Sequence, residues 1–208
     1  MINLKAYSLE SIFLLVLFKK KYVKKVAFFD ILFSKKYFFD ILFCALFLKA
    51  QYRMSKITPQ IWIGPFSKAW DEKFLKKNKI THIMCCAKEF NAPTFLCNMG
   101  NDEVRKHWAS LPITDDKSDA KTEGQFRKGA AILNRWITAG HKVIVHCYAG
   151  ISRSVSTVLA YFMIYKGLTY EQAYDLVKKS RPELNPHPVY VKILKGMEKR
   201  KTRKRRRS

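Results

Sequence analysis

The chain has 208 residues, of which 40 are Lys or Arg and 16 are Asp or Glu, a formal net charge of +24. Hydrophobic residues at 48% are ample for a packed core and exclude a wholly disordered chain. Five cysteines, odd in number and irregular in spacing, exclude a disulfide framework. They point to a reducing, intracellular setting (cytoplasm, nucleus or both) with room for a reactive thiol.

The charge is unevenly placed. Residues 1–53 carry ten Lys or Arg against three acids, residues 54–191 twenty against twelve, and residues 192–208 ten against one. The first 53 residues also hold nine of the fifteen Phe, and a near-repeat in which Lys25–Ser34 and Lys36–Cys44 share Phe-Phe-Asp-Ile-Leu-Phe. The apolar runs there, Ile12–Phe18 and Ile41–Leu48, are short. No stretch reaches the roughly 18 uncharged apolar residues of a membrane-spanning helix. Lys19-Lys20-Lys21 stands where a secretory signal needs a small-residue cleavage site. Three readings of 1–53 stand side by side. The segment lies flat on a membrane as a lysine-flanked amphipathic helix. It is a partner-binding or self-associating arm. Or it is not translated, and Met54 starts a chain of 155 of the 208 residues, a natural single-domain length.

From Ser55 the texture is that of an α/β domain. Gln60–Gly64 reads as a short strand ended by Gly64-Pro65, and Ser67–Lys77 as a helix turning Ala69, Phe74 and Leu75 inward. Thr81–Cys86 and Trp108–Ile113 read as the next strands. Thr122-Glu123-Gly124-Gln125 has the form of a capping box, and the helix it opens puts Phe126, Ala130, Leu133 and Ile137 on one face before Ala139-Gly140 stops it. Lys142–His146 is a continuous apolar strand, as expected where both faces are buried. A helical run covers Val155–Lys166, and Thr169–Gln172 is a second capping box for a helix ending at Ser180-Arg181-Pro182. The expected fold is a central, mostly parallel sheet of four to five strands with helices on both faces. Its functional loops lie at the carboxyl ends of the strands. Lys199–Arg207 holds eight bases in nine positions and reads as part of a disordered tail over 198–208. Such a block is either a solubilising tail or a contact for an import receptor, nucleic acid or an acidic membrane.

One segment carries chemistry: His146-Cys147-Tyr148-Ala149-Gly150-Ile151-Ser152-Arg153-Ser154. A cysteine ends a buried strand, and Arg153 follows six residues later where a helix begins. A loop this short curls, so the backbone N–H groups from Tyr148 to Arg153 converge with the helix N-terminus into an anion cradle. Gly150 permits a backbone conformation that a side chain forbids. Arg153 supplies a planar fork matched to two phosphate oxygens. The same positive field favours thiolate over thiol at Cys147. His146 orders the loop by hydrogen bonding without itself reacting.

This string resembles the His-Cys-x5-Arg-Ser/Thr signature of the cysteine-dependent protein phosphatases, and is most similar to their dual-specificity branch. Ile57–Gly64, Ile80–Ile83, Ala160–Met163 and Arg181-Pro182 with Asn185-Pro186 resemble other segments of that family, so the likeness covers about residues 55–197. It implies a phosphatase loop between a central strand and a helix, and a catalytic domain over 54–197. It also implies hydrolysis of phosphotyrosine and phosphoserine or phosphothreonine in proteins through a phosphocysteine. The family's general acid follows a strand ending like Leu111-Pro112-Ile113-Thr114. That place falls to Asp115, with the adjacent Asp116 as the alternative and Asp119 nearby. The resemblance gives Ser154 the role of easing release of the Cys147 thiolate. It implies no cofactor, and the His and Cys spacings suggest no metal. Lysines that would meet inositol phosphates are absent from the loop, and net positive charge favours acidic phosphopeptides.

Two departures stand out. Cys85 occupies a place where the family usually has Asn. Cys85 and Cys86 are either small buried apolar residues or thiols that trap oxidised Cys147 as a disulfide. His187 follows Pro186 where Asn is frequent. Two rival functions remain open: a phosphate-binding module without turnover, and a polyanion-binding protein driven by its basic tail.

Overall fold

The computed structural model describes residues 53–90, 108–115 and 121–205, all within one compact unit, Lys49–Ser208. The readings of residues 1–52, and Asp116 and Asp119, lie outside the described residues. Five strands form a single sheet: β1 Ser55–Lys56, β2 Ile61–Pro65, β3 His82–Cys85, β4 Trp108–Ser110 and β5 Val143–Cys147. Their spatial order is β1-β2-β5-β3-β4. β1 runs antiparallel to β2, and every other pairing is parallel. β5 is therefore central, and all five of its residues are buried.

Alternation along β5 explains the two cores. Val143, Val145 and Cys147 face the larger one, with Ile61 and Ile63 of β2 and Met84 of β3. Ile144 faces the smaller one, with Trp62, Ile83, Ala69, Leu75 and Ile80. The helices lie accordingly. α1 Phe66–Ala69 and α2 Glu72–Asn78 cover the small face. α3 Thr122–Thr138, α4 Arg153–Tyr165, α5 Tyr170–Ser180 and α6 Pro188–Arg205 cover the large one. α4 lies innermost, with every residue from Arg153 to Met163 buried. It meets α3 at Gly129, where an added Cβ would come within 2.6 Å of Thr157 Cγ2 and 2.5 Å of Leu111 Cδ1. Only glycine lets those two helices and the strand-end segment approach so closely.

Four expectations are corrected. The helix over 67–77 is two helices, because Asp71 breaks it and caps the second, its Oδ1 accepting from Phe74 N–H at 3.1 Å. An aspartate gains more at an N-cap than in a helix interior. The strand over 108–113 keeps ladder pairing only to Ser110, after which Leu111 and Ile113 turn into the core. The box at Thr122 does not form: the N-cap is Lys121, with no side-chain cap bond, and Thr122 is drawn into the helix as its buried first residue. The box at Thr169 does form, with reciprocal bonds to Gln172 of 3.1 and 2.9 Å. Finally, the tail expected to be disordered from 198 is helical to Arg205. Its first turns are anchored by buried Tyr190, Leu194 and Met197, and the Lys and Arg that follow are good helix formers.

Candidate active site

Five consecutive carbonyls shape the loop after β5. Tyr148 O accepts from Phe66 N–H at 2.9 Å, Ile151 O from Asn185 N–H at 3.0 Å, and Ser152 O from Ser156 N–H at 2.8 Å. Between them, the Arg181 guanidinium donates through Nη2 to Ala149 O at 3.2 Å and through Nε to Gly150 O at 2.7 Å. In a trans peptide the following N–H points opposite to the carbonyl. With every carbonyl from 148 to 152 held outward, the N–H groups from 149 to 153 turn inward. One of them, Gly150 N–H, meets Cys147 Sγ at 3.2 Å. Gly150 has φ +73°, and a Cβ there would lie 2.4 Å from the Gly64 carbonyl, so both its conformation and its clearance require glycine.

Cys147 is buried at the carboxyl end of the central strand. Ser154 Oγ, in the first turn of α4, stands 3.4 Å from its sulfur. The charges of Arg153 and Arg181 both act on that sulfur. Arg153 is the first residue of α4, its side chain 2% exposed. Its Nη1 donates to Glu89 Oε2 at 2.6 Å and its Nη2 to Asp115 Oδ2 at 3.1 Å. Burial works to weaken its hold on the proton, but Glu89, Cys147 and Asp115 more than offset this, and it stays charged.

Asp115 follows a braced segment. Leu111 and Ile113 are buried, Lys88 N–H donates to Ile113 O at 3.1 Å, and the Tyr190 hydroxyl donates to Thr114 O. The Asp115 side chain itself is 64% exposed. Burial pushes the His146 ring down to about 4, so it is neutral at pH 7. Its Nδ1 faces Cys147 O at 3.3 Å, which makes Nδ1–H the donor there. Burial pushes the Cys85 thiol up to about 11 and that of Cys86 well above its usual range. Cys85 Sγ donates to Ala87 O at 3.6 Å, and neither thiol is bonded to Cys147. Both therefore behave as buried protonated groups, poorly suited to attack an oxidised Cys147 as thiolates. Among the described residues no three His, Cys, Asp or Glu side chains gather as a metal site requires.

The residues brought together are therefore Cys147, Arg153, Ser154 and Asp115, around the backbone of Tyr148–Ser152. The family model described as "Dual specificity phosphatase, catalytic domain" matches residues 61–200. This chain belongs to the dual-specificity phosphatases. It is 30% identical over 146 residues to dual specificity protein phosphatase 1B of Arabidopsis thaliana, covering 70% of this chain and 82% of that one. It is 31% identical over 150 residues to dual specificity protein phosphatase 22 of Homo sapiens, covering 70% and 74%. The solved structure of a human tyrosine phosphatase-like serine/threonine/tyrosine-interacting protein is similar at TM-score 0.60 and 29% identity, covering 71% of this chain and 96% of that one. The protein is a dual-specificity protein phosphatase, a phosphoric monoester hydrolase, and its substrates as a family member are phosphoproteins.

Two residues that shape this phosphatase's site carry no role in the sequence reading. Arg181 is wholly buried yet charged: burial lowers its pKa below the usual arginine value, and Glu183, 3.3 Å from Nη1, and the Cys147 sulfur offset this only in part. The available signal was an arginine beside a proline at a helix end, in the segment that resembles the family. Glu89 left no signal beyond a charge after an apolar strand. His187, the second departure, still braces the loop, its N–H donating to Ser152 Oγ at 3.0 Å.

Proposed function

We propose that this phosphatase hydrolyses phosphotyrosine and phosphothreonine or phosphoserine at Cys147, with Arg153, Asp115 and Ser154 in the roles their positions suit. The observation that carries this is the inward turn of five N–H groups around the Cys147 sulfur. The phosphoryl group sits in that cradle, with the Arg153 fork on two of its oxygens. The sulfur attacks phosphorus, forming P–S while the P–O bond to the side chain breaks. Asp115 gives its proton to the departing oxygen. Water then attacks the phosphocysteine and gives a proton to Asp115. The P–S bond breaks with its electron pair returning to sulfur, the Ser154 hydroxyl donates to that thiolate, and inorganic phosphate leaves.

The rival reading is binding without turnover. Family membership favours turnover, although one solved relative is named as a phosphatase-like interacting protein. The deciding experiment gives the protein a peptide phosphorylated on Thr and Tyr in a Thr-x-Tyr sequence and measures free phosphate. Release of two phosphates per peptide over many turnovers is expected. Saturable binding with no phosphate released would establish the module instead.

The basic block Lys199–Arg207 supports a second contribution, attachment to a polyanion such as nucleic acid. Affinity for duplex DNA is expected to fall steeply with salt and to lose most of that slope when residues 199–208 are removed. An unchanged slope would rule out the tail as the contact.

A further inference from the structure

The arginine that receives the phosphoryl group already holds two carboxylates. Glu89 Oε2 takes Nη1 at 2.6 Å, together with Ile113 O at 3.5 Å, and Asp115 Oδ2 takes Nη2 at 3.1 Å. The third nitrogen, Nε, is buried and has no hydrogen-bond partner among the described residues. Nε and Nη2 share one of the two guanidinium edges that offer paired N–H donors to an oxyanion, and it is the edge with a donor still unpartnered. Asp115 sits on half of that edge. Glu89 sits on Nη1, off it.

The two carboxylates are not equivalent. Glu89 has the shorter contact, and its side chain is 42% exposed against 64% for Asp115. Burial works to raise the Glu89 carboxyl, yet the hydrogen bond and charge of Arg153 bring it below the usual carboxylate range. Glu89 follows β3 in a short 3-10 turn, Lys88–Phe90, next to the strand end that faces β5. Phe90 in the same turn stacks on Phe66 with ring centroids 4.0 Å apart. The Phe66–Phe90 stack braces the turn that carries Glu89, and Glu89 is the less exposed of the two carboxylates.

We propose that Glu89 is a positioning residue that shares Arg153 with Asp115, holding the guanidinium by Nη1 so that an arriving oxyanion displaces Asp115 from Nη2. The proposal rests on the phosphatase reading for its purpose, because Asp115 must leave the guanidinium before it can serve the departing oxygen. Glu89 makes that release easy. With Glu89 in place, the charge of Arg153 is already compensated, and Asp115 is a second, weaker partner. Without it, Asp115 becomes the principal counter-ion and competes harder with the incoming anion. The cost is a standing negative charge near the anion site, which by itself disfavours binding.

The test is a double-mutant cycle on the full chain with tungstate, an oxyanion that binds without turnover, read by titration calorimetry. The four proteins are wild type, Glu89→Gln, Asp115→Asn and the double variant. Asp115→Asn is expected to tighten tungstate binding in both backgrounds, and by about five-fold more where Glu89 is replaced. An equal factor in the two backgrounds, or a smaller one beside Glu89→Gln, would overturn the proposal. Glu89→Gln keeps shape and an acceptor oxygen, and Glu89→Ala repeats the cycle should the glutamine disturb the turn. Free phosphate from the doubly phosphorylated peptide is measured alongside on wild type. Tungstate binding with no hydrolysis would sink the functional reading while leaving the cycle legible, so the two failures are separable.

Discussion

Replacing Cys147 by serine is expected to lower turnover of both an aryl phosphate and a phosphopeptide by about 10⁴-fold or more, with phosphopeptide affinity kept within about threefold. The loop is built around the sulfur as an acceptor: Gly150 N–H lies 3.2 Å from it and Ser154 Oγ 3.4 Å. A serine oxygen fits the same space and accepts the same bond. The anion cradle therefore survives, because its shape comes from the carbonyls that Phe66, Arg181, Asn185 and Ser156 hold outward. What is lost is nucleophilicity, since sulfur is a far stronger nucleophile than a serine hydroxyl oxygen. Among the described residues no side-chain base is hydrogen-bonded to the Cys147 sulfur to activate a serine there. His146 is neutral, but its Nδ1 faces the Cys147 carbonyl rather than the side chain. Steady-state rates and phosphopeptide titrations on the two proteins check this. A serine variant within tenfold of wild type would mean that the sulfur does not form the covalent bond.

The local parts of this site were legible because each reported its own constraint. A strand end, a glycine and an arginine at a helix start crowd into Cys147–Arg153, where few packed structures would need all three. Asp115 was expected from the family resemblance, with Asp116 as the alternative; Asp115 lies 3.1 Å from Arg153, and Asp116 is outside the described residues. Glu89 and Arg181 acquire meaning only through the fold. Glu89 lies 64 positions from Arg153 and reaches it because β3 pairs with β5. Arg181 lies 31 positions from Gly150 and reaches under the loop because α5 ends there. Nothing in the neighbourhood of either residue announces a buried guanidinium or a shared one.

The same division holds for the fold. The apolar run of β5 announced a strand buried on both faces, and the Thr169 box announced the start of α5, because both signals are local. Trp70-Asp71 was read through as helix, since periodicity counts apolar positions and does not weigh an aspartate's preference for a cap. Thr122 had the form of a cap but lies buried, a matter of tertiary packing that no four-residue pattern contains. Lys199–Arg205 was read from its self-repulsion alone, without the packed turns of α6 that precede it.

Replacing Asp115 by asparagine is the second large expectation, and its size should depend on the leaving group. Asp115 is the described carboxylate that touches Arg153 from the exposed side, and its neighbours Ile113 and Thr114 are held by Lys88 and Tyr190. An amide in that place is neutral and has no proton to give. For a phosphotyrosine peptide, whose phenolic oxygen leaves poorly without protonation, kcat is expected to fall by about 10²–10⁴-fold. For an aryl phosphate whose phenol leaves readily, P–O cleavage loses far less. Hydrolysis of the phosphocysteine still lacks its base, so that substrate should show a rapid release of one equivalent of phenol followed by slow turnover. Stopped-flow absorbance resolves the two phases. Oxyanion binding moves the other way, because Arg153 Nη2 no longer has a carboxylate to surrender. A variant that loses both substrates equally, with no burst and with weaker tungstate binding, would place the acid elsewhere, and Asp116 would be the next residue to replace.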